Sequence, residues 1–118
     1  MGKRFVELST NANSGDGTGG IPPHVPETIS CGRQVVTTAG TAVQLGSSTS
    51  VDGIIIVAEF DNTGVICVGD ISVIADESTR IGVPLHPGDA VILNIDNISK
   101  IYIDSTIDSD GVTYTLVK

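Results

Sequence analysis

Beyond residue 33 the chain moves between short apolar runs and tight clusters of turn-forming residues, and no stretch keeps a helical period over three turns. Such phrasing predicts strands joined by turns. Residues 34–38 and 41–45 bracket an Ala39-Gly40 turn. Residues 52–60 contain Ile54-Ile55-Ile56-Val57, a continuous run of the kind buried on both faces of a sheet. Asp61-Asn62-Thr63-Gly64 follows. Asp and Asn bond nearby backbone and Gly accepts positive φ, so this turn predicts a hairpin joining residues 54–60 to 65–68. Shorter strands are expected at 71–75 and 80–83. In Pro84-Leu85-His86-Pro87-Gly88-Asp89, Pro87 presets φ and Gly88 supplies the positive φ of a type II turn. Strands at 90–95, 100–104 and 112–117 complete the series, with bends at 94–97 and at Ser109-Asp110-Gly111. Eight or nine strands at about ten-residue spacing predict an all-β fold. The expected form is a single small β-sandwich or barrel, jelly-roll-like.

The chain changes character near residue 30. Residues 9–28 read STNANSGDGTGGIPPHVPET, rich in Gly and Pro and without apolar periodicity. A segment of that kind cannot repay its ordering entropy by burying a core. Residues 1–28 are therefore read as an extended N-terminal arm and tether, and 29–118 as the β domain. Near its start the arm carries Lys3-Arg4-Phe5-Val6-Glu7-Leu8, a short and mildly apolar stretch. Its loose alternation suits a strand that adds to a neighbour.

Composition reinforces the β reading. Val, Ile and Thr supply 41 of the 118 residues, and aromatics only 3%. Those β-branched side chains suit a pleated surface better than a helix. A domain of about 90 residues can fold alone, though a small core gains from partner chains.

The formal charge is −8, from 14 acidic and 6 basic residues. Lys3, Arg4, Arg33, Arg80, Lys100 and Lys118 are scattered, whereas nucleic-acid binders cluster their cations against phosphates. An anionic membrane would repel the chain, and no run approaches the roughly 18 apolar residues of a spanning helix. No secretory signal is read at the N-terminus, so synthesis in a cytosol is expected. Neither nucleic acid nor membrane is an expected partner.

Catalysis needs a preorganised acid, base or nucleophile. His24 lies in the arm and His86 in a turn. No HxxxH, HExxH, CxxC or GxSxG spacing occurs, and neither cysteine has a histidine nearby in sequence. The chain is read as a non-enzyme without cofactors. Asp104, Asp108 and Asp110 are the best candidates for holding a metal, because Asp108-Ser109-Asp110-Gly111 echoes the start of a calcium loop. The Glu that such a loop requires does not follow, and a turn explains the same residues. Metal ligation is not expected. Cys67 sits in the apolar run Gly64-Val65-Ile66-Cys67-Val68-Gly69 and reads as a small buried hydrophobe. Pairing with Cys31 is left open.

Several phrases fall in a distinctive order: Ala39-Gly40-Thr41-Ala42-Val43-Gln44-Leu45, Asn62-Thr63-Gly64, Val68-Gly69, Gly82-Val83-Pro84-Leu85 and Pro87-Gly88-Asp89. Asp96-Asn97-Ile98-Ser99-Lys100-Ile101-Tyr102-Ile103 and Gly111-Val112-Thr113-Tyr114 complete it. This succession, over roughly two-thirds of the chain, resembles a small all-β domain common in virion proteins of tailed bacteriophages. With its arm, the chain looks like a capsid decoration, or cement, protein.

The resemblance implies a structural protein on the capsid surface, made in the cytoplasm of a bacterial host. Its partners would be the major capsid protein and further copies of itself, as homotrimers over gaps between capsomers. Lys3, Arg4, Phe5, Val6 and Leu8 would form the latch onto the shell or a neighbouring subunit. Related domains also occur in tails and fibres, so the alternative is a tail or fibre module that binds a host receptor or glycan. For that role Tyr102 and Tyr114 are the aromatic candidates, on neighbouring strands, although packing within the sheet is the expected place for both.

Overall fold

The apolar runs become eight strands in a computed structural model, which describes residues 25–118. They are β1 (Ile29–Val35), β2 (Val43–Gln44), β3 (Gly53–Ala58), β4 (Ile66–Gly69), β5 (Val83–Leu85), β6 (Ala90–Leu93), β7 (Tyr102–Ser105) and β8 (Gly111–Val117). A 3-10 turn, Ile98–Lys100, leads into β7, and the Asn97 side chain accepts from the Ser99 N–H at its start. Two four-stranded antiparallel sheets result, ordered β1-β8-β3-β6 and β2-β7-β4-β5. They pack as a small all-β sandwich.

The core lies between the sheets. Ile54, Ile56 and Ala58 of β3, with Val112 and Leu116 of β8, face Ile66 and Val68 of β4 and Ile103 of β7. Leu45, Val51, Leu85, Ile98 and Ile101 close its margins. Fully burying each Ile or Leu side chain is worth about 1.5–3 kcal/mol relative to exposure. Stiff β-branched residues thus fill the interior with little rotamer entropy to lose, and no Trp or Phe is needed.

Several local expectations change once the sheets are paired. The Asp61–Gly64 segment is no hairpin: β3 and β4 belong to different sheets, and the turn carries the chain from one to the other. The reason lies 46 residues downstream, where the Asp110 carboxylate accepts from the Gly64 N–H at 2.8 Å and the Thr63 N–H at 3.1 Å. The Asn62 amide meanwhile exchanges two 2.9 Å bonds with the Gly111 backbone. These bonds fasten the turn to the start of β8, and Ile66 and Val68 enter the core from the opposite side.

Continuous apolarity also misplaced the doubly buried strand. β3 alternates buried and half-buried residues, whereas Ile66, Cys67 and Val68 of β4 are all buried. The strands expected at 34–38 and 41–45 shift: β1 starts at Ile29 and ends at Val35, and the short β2 joins the other sheet. Residues 71–75 and 80–83 contribute only the Ile74–Ile81 bridge and the first residue of β5. Pro84 lies within β5, an edge strand, where a missing N–H is tolerated.

The Pro87-Gly88 turn forms as expected. Gly88 has φ of 88°, and the Asp89 N–H donates to the His86 carbonyl at 2.9 Å.

Candidate functional site

The two sheets present very different outer faces. On the β2-β7-β4-β5 sheet, Cys67, Tyr102 and Asp104 point outward, and residues 70–82 fold over them. Val73 and Ala75 pack on Cys67 and Tyr102 as a second apolar cluster. The Asp104 carboxylate clamps this cover. One oxygen accepts from the Gly40 N–H and the other from the Ala75 N–H, each at 2.9 Å. The Arg80 guanidinium donates to the Ala75 carbonyl at 3.0 Å and closes the loop.

The β1-β8-β3-β6 sheet carries no equivalent cover among the described residues. Register places its outward side chains in three rows. The first holds Ile29, Val117 and Gly53; the second Cys31, Thr115, Ile55 and Ile92; the third Arg33, Thr113, Val57 and Ala90. Ile29, Ile55, Val57 and Ile92 belong to neither apolar cluster, and Ile29 and Ile92 are 69% and 60% exposed. At one end Arg33 forms a two-pronged ion pair with Glu59, whose Oε1 accepts from Nη2 at 3.0 Å. That carboxylate holds the Arg33 pKa above its ordinary value.

Phe60 stands beside this pair and is 84% exposed. Its ring rests on Gly88, where a Cβ would come within 2.7 Å of the ring carbon Cε1. Arg33, Val57, Glu59, Phe60, Asp61 and Thr113 line a shallow depression of about 440 Å³. An exposed aromatic backed by glycine and flanked by a neutralised ion pair can pack on an apolar group or stack on the flat face of a ring.

The sequence candidates fare differently. Lys3, Arg4, Phe5, Val6 and Leu8 lie outside the described residues. Asp104, Asp108 and Asp110 do not converge. Asp104 and Asp110 are buried on backbone N–H groups, and Asp108 accepts from the Ala39 N–H at 2.8 Å. Each carboxylate works as a loop clamp, and among the described residues no group of three His, Cys, Asp or Glu is placed to hold a metal ion.

Cys31 and Cys67 are both free thiols. Cys67 is fully buried, as its apolar run suggested, and burial pushes its thiol pKa up. Tyr102 and Tyr114 sit in different sheets. Tyr102 packs under the cover loop, and Tyr114 packs on the main core and over Gly32. Neither is a free platform. Phe60, which sequence reasoning passed over, is the exposed aromatic among the described residues, and its one signal was its place between Glu59 and Asp61 in a polar turn.

Comparison with protein-family models, with curated proteins and with solved structures finds no match for the chain.

Proposed function

We propose that this chain is a non-enzymatic structural protein of a tailed-bacteriophage virion. It decorates and stabilises the capsid by binding the major capsid protein and associating with copies of itself. In this reading the fold is a jelly roll. Strand orders 1-8-3-6 and 2-7-4-5 interleave the two halves of the chain in every neighbouring pair, as two Greek keys do, and viral capsid domains are among the homes of that architecture. Fold alone does not give function.

The observation that carries the reading is the bare outer face of the β1-β8-β3-β6 sheet. Ile29 and Ile92 are exposed there and Ile55 and Val57 only partly buried, and an apolar patch rimmed by polar residues is a mark of protein–protein contact. The role is mechanical. The arm, through Lys3, Arg4, Phe5, Val6 and Leu8, latches onto the shell or a neighbouring subunit, and many weak contacts sum through multivalency. Deleting residues 1–27 tests it: the domain remains folded, and binding to expanded capsids weakens or disappears. Equal decoration by the truncated chain would sink the arm's role. Electron cryomicroscopy of the particle tests the location, and density confined to the tail tip would overturn decoration.

Phe60 favours a second reading, a tail or fibre module that binds a receptor or glycan. Jelly rolls also serve as lectin domains, and an exposed ring beside Arg33, Glu59, Asp61 and Thr113 offers a stacking surface with polar neighbours. Binding of the full chain to host surface glycans, lost in Phe60→Ala, would support this reading over decoration.

A further inference from the structure

We infer that the outer face of the β1-β8-β3-β6 sheet is an interface between two copies of this chain, which meet face to face about a twofold axis. The inference rests on the decoration reading only for its purpose; the contact itself is argued from the face.

The first ground is a mismatch between sequence and exposure. The run Ile54-Ile55-Ile56-Val57 has the apolarity of a strand buried on both sides. In the single chain Ile54 and Ile56 are buried, while Ile55 and Val57 are only partly buried on the outer face. The other sheet shows how this sequence treats such a face when its own chain supplies the cover: Val73 and Ala75 close over Cys67. Ile92 and Ile29, either side of Ile55 across the sheet, have no such cover among the described residues.

The second ground is charge, and it selects the occupant. Two chains of formal charge −8 repel, so copies can meet closely only where acidic side chains are absent or matched. The three outward rows contain one charged residue, Arg33, and Glu59 at the edge neutralises it. A basic or strongly acidic partner would find no complementary charge there, whereas an identical face fits without conflict.

The third ground is size. Strands of seven, seven, six and four residues, at about 3.3 Å rise and 4.8 Å spacing, outline roughly 380 Å² per copy. Two copies would bury roughly 760 Å², below the about 1,200 Å² of stable specific interfaces, which predicts weak, reversible pairing instead of a permanent dimer. Sheets stacked about 10 Å apart would interdigitate Ile55, Ile92 and Thr115 with their counterparts. A face that meets itself is isologous and closes at two copies. This departs from the trimer that the phage resemblance implies.

Sedimentation equilibrium of the full chain, from about 5 to about 500 µM, tests the inference in the range where interfaces of this size associate. The average mass should rise from one copy towards two. Ile92→Glu places like charges opposite each other and should weaken pairing at least about tenfold. Thr113→Lys, at another exposed position on the face, should do the same without touching the core. Ile71→Glu makes the same kind of change on the segment covering the other sheet and should pair as the wild type does.

A wild-type chain that stays monomeric throughout overturns the inference. So does a limiting mass of three copies, or pairing that Ile71→Glu disrupts and Ile92→Glu does not. If the chain is monomeric in solution but Ile92→Glu abolishes capsid binding, the occupant is a shell subunit and the pairing is wrong while decoration stands. A chain that pairs through this face yet binds no capsid leaves the pairing intact and overturns decoration.

Discussion

Replacing Asp104 by Ala should be among the most damaging single changes to this domain, although Asp104 touches no proposed partner. Its side chain is only 2% exposed, and its two oxygens accept from the Gly40 and Ala75 N–H groups at 2.9 Å each. Ala leaves both donors without their acceptor: the Ala75 N–H is buried beneath the cover loop, whereas Gly40 is exposed and water can replace the carboxylate there. An unpaired buried donor costs about 1–3 kcal/mol, and bonds to a charged acceptor lie toward the upper part of that range. The buried donor together with the weaker loss at Gly40 sums to about 2–4 kcal/mol, against a total stability of about 5–15 kcal/mol for domains of this kind.

Asp104→Asn keeps one carbonyl acceptor but turns an NH2 toward the other donor, so about half that loss is expected. Asp108→Ala removes a bond at an exposed site and should cost less than about 1 kcal/mol. Urea unfolding supplies the three free energies. Amide hydrogen exchange supplies a local readout, because the Gly40 and Ala75 amides should lose protection in Asp104→Ala before the β3 amides do. A loss below about 1 kcal/mol for Asp104→Ala, or equal losses for Asp104→Ala and Asp108→Ala, would refute the clamp.

Two further outcomes follow from side-chain environment. With Cys31 exposed and Cys67 buried with a raised pKa, a thiol reagent at mildly alkaline pH should label one cysteine in the folded chain and two in denaturant; mass spectrometry finding rapid native labelling of Cys67 would contradict the burial. Asp70 is held below the usual carboxylate pKa first by the Ser72 hydroxyl at 2.6 Å and then by the Ser72 N–H. Asp76 (through Ser78) and Asp96 (through Lys100) are lowered likewise. A depressed folded-state pKa gives stability that is present above the unfolded value near 4 and is lost as pH falls through the folded value. NMR titration should therefore place all three carboxyls below that value, and Ser72→Ala should move Asp70 back up while leaving Asp96 where it was.

The parts legible in the sequence were those fixed by local chemistry. Pro87-Gly88 dictates its own turn, because φ is preset at one residue and positive φ is permitted at the next. The β-branched composition and frequent turn residues gave the all-β class, and the Gly64–Gly69 run gave a buried Cys67. What stayed hidden depends on partners distant in the chain. Asp61-Asn62-Thr63-Gly64 has the residues of a hairpin turn, but Asp110 and Gly111 decide its path, and nothing local announces them. β1 escaped notice in its first half because Ser30, Cys31 and Gly32 lie on an open edge strand, with little burial to impose an apolar pattern. The same distance effect made Asp104, Asp108 and Asp110 resemble an oxygen-rich metal loop. Their spacing is that of a turn region, yet all three are spent on backbone N–H groups: Asp104 and Asp108 on the Ala39-Gly40 turn, Asp104 also on Ala75, and Asp110 on Thr63 and Gly64.

The hardest feature to read was the difference between the two outer faces, and its cause is physical. A strand sequence records that both faces of a residue run are apolar; it does not record what covers each face. Cys67 and Ile55 both sit outward on central strands, each within an apolar run. For Cys67 the cover comes from the same chain: the Asp104 clamp and the Arg80 bond draw residues 70–82 over it. For Ile55 the described chain offers only the strands on either side. Apolar burial yields roughly 25 cal/mol per Å², so a face left half-open forgoes stabilisation that the covered face has already collected. That forgone burial can be recovered on association, after the loss of translational and rotational freedom is met. On the pairing proposed above, the covered sheet stabilises the monomer and the bare sheet holds its stabilisation in reserve for assembly. The two roles should separate in experiment: clamp substitutions lower the unfolding free energy of the single chain, while substitutions at Ile92 or Thr113 leave it almost unchanged and act on association.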